Sequence, residues 1–395
     1  MSRGATVFYR PVPMRLLLSI LFALVSMRPA LGADRVPQCR AAGYGYLQIP
    51  GTELCIAPRG FVRAEYLAGI RLPPFNMNSD AKSGTISKTQ VGFDFVTTGS
   101  DYPNGGRVRL AIARESGLPT VWTDGIGGQR TLLDIDEAWV RLGTLMAGRG
   151  PSRFDFYRDT FNYTPLPISD LTANFFALRI PLTSWLYAEV SAEDAYERNM
   201  GLIRTNLNAL NKPDFIGVLR ASVSWPYPGE LHFSATVPKS ENGLFAWQAG
   251  AAFDLGGERP HLLILQMGMS RGPPSFIGLD RGLFQSITGA DLAFADLSAT
   301  RGLSTAIIYR RPIFGDRWTA TNFAGFGMIK PGFVPSTGLV GPVALMMAGG
   351  NLEWRSKQGL MIGTELSYVV SETPADPYTR YAEGFVFRFR IERGF

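Results

Sequence analysis

Residues 384–395, the last of the chain, read Gly-Phe-Val-Phe-Arg-Phe-Arg-Ile-Glu-Arg-Gly-Phe. Phe385, Phe387, Phe389, Ile391 and Phe395 fall on one parity, Arg388, Arg390 and Glu392 on the other. A period of two sends those sets to opposite faces of a strand, one suited to hydrocarbon and the other to water. A strand of a soluble sandwich can alternate in the same way, but it rarely ends on an aromatic residue with three phenylalanines behind it on that face. The pattern suits the closing strand of a bacterial outer-membrane barrel, where lipid-facing and lumen-facing residues alternate.

The amino end points to the same compartment. Met14-Arg15 precedes an apolar run, Leu16 to Val25, followed by Pro29 and the small-residue site Ala30-Leu31-Gly32 before Ala33. Charged, apolar and cleavage regions in that order predict a secretory leader over residues 1–33, with either Met1 or Met14 as its start. The apolar run is shorter than the ~20 residues a spanning helix needs, so any crossing is by strands. The leader holds Arg3, Arg10, Arg15 and Arg28 and no acid, so its removal leaves 35 basic residues against 33 acidic ones. The basic balance of the whole chain is therefore largely a property of the leader, and no nucleic-acid partner follows from it. Cys39 and Cys55 are the only cysteines. In an exported chain two nearby cysteines suggest one disulfide, with two reduced thiols as the alternative. These readings divide the chain into a leader (1–33), a disulfide-framed segment (34–59) and a barrel (60–395).

No linker or composition step marks a second domain in the mature region. It breaks into short alternating runs: Gly60–Ile70, Gln90–Thr97, Arg107–Glu115, Leu133–Leu142, Leu145–Arg149, Thr172–Ile180, Ser184–Ala192, Phe215–Trp225, Glu230–Val237, Leu244–Leu255, His261–Met269, Leu303–Arg311, Arg317–Met328, Pro342–Trp354, Leu360–Val370 and Gly384–Phe395. The sixteen runs predict an all-β protein, a transmembrane antiparallel β-barrel. Connections alternate between short, such as Pro181–Thr183 and Lys357–Gly359, and long, such as Arg71–Thr89, Glu193–Asp214 and Ser270–Gly302. Short periplasmic turns and long external loops give that alternation. Asp291–Ser298 also alternates and is assigned to a long loop.

Several stretches resemble the alphaproteobacterial (rhizobial-type) outer-membrane porins. The most specific is Cys-Arg-Ala-Ala-Gly-Tyr-Gly-Tyr-Leu-Gln-Ile-Pro-Gly-Thr-Glu-Leu-Cys-Ile over residues 39–56, which is similar to the family's amino end. Ala138-Trp139-Val140-Arg141-Leu142-Gly143, Ala147-Gly148-Arg149 and Phe154-Asp155-Phe156-Tyr157 resemble its fourth and fifth strands running into an inward-folded third loop. Asn351-Leu352-Glu353-Trp354 and Gly359 to Glu365 resemble its last periplasmic turn. The resemblance implies a homotrimeric passive channel in the outer membrane, with membrane lipid, small hydrophilic solutes and ions as partners and no cofactor. Arg149–Asp170 departs from it by balancing Arg149, Arg153 and Arg158 against Asp155, Asp159 and Asp170.

Selectivity in such a lumen comes from charges at its narrowest point. With Phe389 facing lipid, Arg388 and Arg390 face the lumen, and the same parity places Arg63, Arg107, Arg109 and Arg141 inward. The functional reading is a basic wall opposed across the constriction by Asp155 and Asp159; the bland one is solvated charges paired with Glu65, Asp94 and Glu392. Trp185, Trp225, Trp247, Trp318, Trp354, Tyr44, Tyr46 and Tyr368 fall near strand ends or on outward parity, where they form interface girdles or ordinary packing. Asn162-Tyr163-Thr164 matches a glycosylation sequon, a pattern too short to carry weight. His232 and His261 have no nucleophile motif beside them, so the chain is not expected to be an enzyme or to hold a metal. A non-conducting structural or partner-binding barrel is the alternative to the channel.

Overall fold

The computed structural model describes Cys39 and residues 45–71, 82–97, 104–116, 130–158, 160–194, 213–224, 226–237, 245–256, 261–279, 299–330, 342–372 and 381–395. The leader over 1–33, Tyr44, Asp159, Trp225 and the run Asp291–Ser298 lie outside the described residues. A two-residue strand, β1 (Leu47–Gln48), precedes sixteen others. They are β2 (Leu54–Arg71), β3 (Lys82–Thr97), β4 (Gly105–Ser116), β5 (Arg130–Leu142), β6 (Leu145–Pro151), β7 (Thr172–Pro181), β8 (Leu186–Glu193) and β9 (Asp214–Val223). Then follow β10 (Gly229–Val237), β11 (Phe245–Asp254), β12 (Leu262–Arg271), β13 (Arg301–Pro312), β14 (Trp318–Lys330), β15 (Val343–Arg355), β16 (Leu360–Glu372) and β17 (Tyr381–Gly394). Each of β2–β17 pairs antiparallel with the next, and β17 pairs with β2, so the ring closes without an edge. Among the described residues no helix is long and apolar enough to cross a membrane.

Register fixes which residues face inward. Phe389 stands opposite Tyr66 and Arg390 opposite Glu65 across the closing pair. Tyr66, Phe385, Phe387 and Ile391 are exposed on the outside, whereas Glu65 and Arg388 are buried inside. The largest extensions beyond the predicted runs are at the starts of β2 and β3. β2 starts at Leu54 rather than Gly60, because Pro58 lies beyond the last rung with β17 and bonds only toward β3, where a missing N–H is tolerated. β3 starts at Lys82 rather than Gln90, since Ser83, Thr85 and Ser87 alternate with Gly84, Ile86 and Lys88 and leave no apolar face to read. The Cys39–Cys55 disulfide forms, with the two Cα atoms 5.9 Å apart. It ties the amino-terminal segment to the start of β2, beside the β1–β2 pairing.

The interior departs from a uniformly polar lumen. Inward residues of β12–β17, including Ile264, Ile308, Phe323, Met347, Val369 and Val386, form one buried apolar cluster. Two loops fill it. The β6–β7 connection (152–171) supplies Tyr157, Leu166 and Ile168, and the β12–β13 connection supplies Ile277 and Leu279 around a short 3-10 turn, Pro274–Ile277. A second cluster joins Phe154 and Phe276, their rings 5.0 Å apart, to Ile216, Val218 and Ala246 of β9 and β11. Each such side chain withdrawn from water stabilises the arrangement by roughly 1.5–3 kcal/mol. The core of this barrel therefore lies inside the ring and against one side of it.

Candidate functional site

The loop over 152–171 is held by buried acceptors and by missing side chains. Glu193 of β8 fixes its root, accepting Ser152 Oγ at 2.7 Å and the Arg153 N–H at 2.6 Å. The Phe154 carbonyl then accepts Ser234 Oγ at 2.7 Å and Gln248 Nε2 at 3.2 Å, with His232 Nε2 at 3.1 Å. The far arm docks on Glu365 of β16, whose two oxygens accept the N–H groups of Tyr163 and Thr164, each at 2.6 Å. Tyr163 Oη donates to Glu353 at 3.1 Å. Burial, then the Glu353 carboxylate, raises the Tyr163 pKa against the opposing Arg390, so the phenol stays a donor. The wall makes room with glycine: a Cβ on Gly363 would lie 2.0 Å from Tyr163 Oη, and one on Gly250 would lie 2.1 Å from the Phe156 ring. Asn162 is buried and donates to the Thr164 carbonyl, so the sequon lies in the packed anchor.

Charged side chains cluster on the ring's other side. Arg107 reaches Asp94 at 2.7 Å and Glu137 at 3.2 Å, and Arg109 lies within 3.7 Å of both carboxylates. Across β2 and β17, Arg63 reaches Glu392 at 2.7 Å, Arg390 reaches Glu65 at 2.8 Å and Arg388 lies 3.7 Å from Glu65. Arg179 and Arg153 converge on Glu189 of β8 at 2.9 and 3.6 Å. Several guanidiniums lie over rings, among them Arg107 on Trp139, Arg153 on Phe175 and Arg179 on Tyr187, which orients them.

Five of the sequence-predicted arginines thus fall into two linked groups on adjacent strands. Arg63, Arg388 and Arg390 gather around Glu65, and Arg107 and Arg109 around Asp94 and Glu137. Arg141 sits apart at the β5–β6 turn, donating from Nε to the Gly143 carbonyl at 2.9 Å. Asp155 does not oppose them. It is 2% exposed inside the loop, accepting Ser169 Oγ at 2.5 Å and the Leu171 N–H at 2.7 Å. Its donors, the Ser169 hydroxyl and the Leu171 N–H, come from across the loop, where strand parity says nothing. Arg149 belongs to β6 rather than the loop, on the outward parity beside Asn174, with Asp134 at 3.8 Å. The loop's own exposed pair is Arg158 and Asp170, 2.8 Å apart. Tyr163 also reaches the arginine group, since Arg390 lies 3.7 Å over its ring. The anchors Glu193, His232, Ser234, Gln248 and Glu365 were missed because they look like ordinary lumen polar residues. The inward glycines were their one readable signal.

Residues 27–255 match the family described as the porin subfamily. Porin Omp2a of Brucella canis is 28% identical over 171 residues, covering 35% of this chain and 43% of the relative, as is Porin Omp2a of Brucella melitensis. The match thus spans less than half the length of these relatives. Among solved structures, the outer membrane channel DcaP of Acinetobacter baumannii superposes with a TM-score of 0.63 at 15% identity, over 88% of this chain and 99% of that one. OprB of Pseudomonas putida superposes with a TM-score of 0.55 at 13% identity, over 86% and 94%. At those identities the likeness concerns the fold.

Proposed function

The chain belongs to the porin subfamily and is a β-barrel of the bacterial outer membrane, and from that premise we propose that it conducts small hydrophilic solutes and ions passively. One observation carries the reading. Loop 152–171 is clamped to β8–β16, while ion pairs with partly exposed guanidiniums, those of Arg63, Arg107, Arg109 and Arg179, line the inner face of β2–β8. A water path on that side needs no energy source and no moving part, because fixed charges replace part of a solute's hydration. Arg63, Arg107, Arg109, Arg388 and Arg390 are the proposed wall of the narrowest region, with Arg141 at the periplasmic mouth. Asp155 serves the loop's internal structure, which leaves the Arg158–Asp170 pair as the facing charges among the described residues. Since the wall arginines pair with Glu65, Asp94, Glu137 and Glu392, the field alternates along the wall and ion preference is weak. Family membership places the chain among channels rather than enzymes.

The assembly is proposed to be a homotrimer, made from a chain whose residues 1–33 are removed on export. β6 has seven residues, fewer than the 9–11 that a tilted spanning strand needs. Arg149 has outward parity on it, and a basic residue near the midplane of a lipid face costs roughly 2–4 kcal/mol. A second copy covering β5–β7 removes that cost. Planar-bilayer recording tests the channel: stepwise currents that scale with salt are expected. A correctly assembled barrel that passes no current would assign the chain to the non-conducting alternative.

A further inference from the structure

Two neighbouring periplasmic turns, residues 313–317 after β13 and 356–359 after β15, enclose a cleft of about 640 Å³. Its lining includes Phe314, Arg317, Trp318, Trp354, Arg355 and Lys357, with Asp316 as its carboxylate. Trp318 and Trp354 stand directly opposite each other on the outward face, so the cleft opens toward the membrane side of the rim. The Arg355 N–H donates to the Arg317 carbonyl at 2.8 Å and holds the two turns side by side. Arg355 is partly committed to Glu353, at 3.2 Å. Arg317 and Lys357 are exposed and make no ion pair among the described residues.

We propose that this cleft binds the phosphate of an anionic phospholipid headgroup in the periplasmic leaflet. Tryptophan rings settle at the headgroup level of a bilayer, which places the anions of that layer against Arg317, Arg355 and Lys357. With Arg355 drawn to Glu353, Arg317 and Lys357 still outnumber the carboxylate of Asp316, so an anion is favoured, and long basic side chains reach a phosphate while their stems cover apolar surface. Phe314, 71% exposed at the turn, adds an apolar lip that water does not favour and a lipid glycerol backbone does. A soluble phosphate would gain the cations but leave Phe314 and both tryptophans uncovered.

Tryptophan quenching in vesicles tests this with the whole barrel. Wild-type protein is reconstituted in phosphatidylcholine containing either brominated phosphatidylglycerol or brominated phosphatidylcholine. Stronger quenching by the brominated anionic lipid is expected, and it should disappear in Trp318→Phe/Trp354→Phe. Arg317→Gln with Lys357→Gln should lower the apparent preference about fivefold for each charge removed. Inorganic phosphate should reduce the preference no more than chloride at equal ionic strength; selective loss with phosphate would reassign the cleft to a free anion. Equal quenching by both lipids in the wild-type barrel would overturn the proposal even if the charge variant failed to assemble. Conductance of the same vesicles is read separately, so a silent barrel and a headgroup-blind cleft are told apart.

Discussion

Changing Glu365→Gln should loosen the inserted loop without opening the barrel. Glu365 is 1% exposed and its two oxygens hold the Tyr163 and Thr164 N–H groups at 2.6 Å each. Hydrogen bonds to a charged acceptor contribute about 1.5–3 kcal/mol apiece. Glutamine keeps one acceptor oxygen and turns the other position into an NH2, which meets a backbone donor head-on. One bond is lost and the other weakened, so the docked loop should lose about 2–4 kcal/mol relative to an undocked one. At about 1.4 kcal/mol per decade the undocked population rises roughly 30- to 700-fold. Single-channel recording should show larger conductance or added open-state noise, while heat-modifiable mobility reports an intact barrel. Thr164→Ala removes only the neutral contact with Ser367 Oγ, 2.9 Å away, and should give a clearly smaller change. A Glu365→Gln channel indistinguishable from wild type in size and noise would mean that the arm docked on β16 does not limit the path.

Asp155→Asn should also act on loop order rather than ion preference, costing about 1–3 kcal/mol at the Ser169 and Leu171 contacts; an altered reversal potential at unchanged conductance would contradict its buried placement. Arg388→Gln combined with Arg390→Gln removes two cations around Glu65 and should raise cation preference in reversal-potential measurements, with no shift counting against the proposed wall. Phe387→Arg puts a charge on an outward position between Leu366 and Ala68 and should cost about 2–4 kcal/mol if that position lies near the midplane, seen as a lower urea midpoint in lipid vesicles. Reducing the Cys39–Cys55 bridge should weaken the amino-terminal segment by roughly 3 kcal/mol in the chain-entropy model; free thiols in protein taken directly from the envelope would remove the bridge.

The ring was readable because a membrane wall imposes two simple demands at once, alternation along each strand and alternation of connection length. Residues 384–395 display the first and the series of connections the second, and each of the sixteen predicted runs overlaps one of the strands β2–β17. The inside followed other rules. On β12–β16 the inward set mixes apolar and polar residues, so Ile264, Ile308, Phe323 and Met347 sit among Gln266, Ser304, Thr321 and Asn351 and give no clean polar alternation. There the sequence resembles a strand buried on both faces. Asp155 was misplaced because its role came from the resemblance of 154–157 to an inward-folded third loop, which says nothing of its partners Ser169 and Leu171 across that loop. Gly250, Gly325, Gly327 and Gly363, all inward, look like plain strand weakeners until Phe156, Pro167 and Tyr163 are seen lying against them. The apolar run Phe276-Ile277-Gly278-Leu279 inside a long loop carried the same message, since an external loop has little use for it.

The off-centre core divides duties around the ring. Strands β12–β16 satisfy lipid on one side and a packed interior on the other, so almost any polar change there taxes folding. Strands β3–β5 carry partly exposed charges such as Arg107 and Arg109 on their inner side, where a swapped charge disturbs only its neighbours. A lineage facing a new mix of nutrients or toxins can therefore rewrite the second group while leaving the first alone. Mutational tolerance measured position by position should trace that boundary, with permissive inner sites on one arc and intolerant ones on the other.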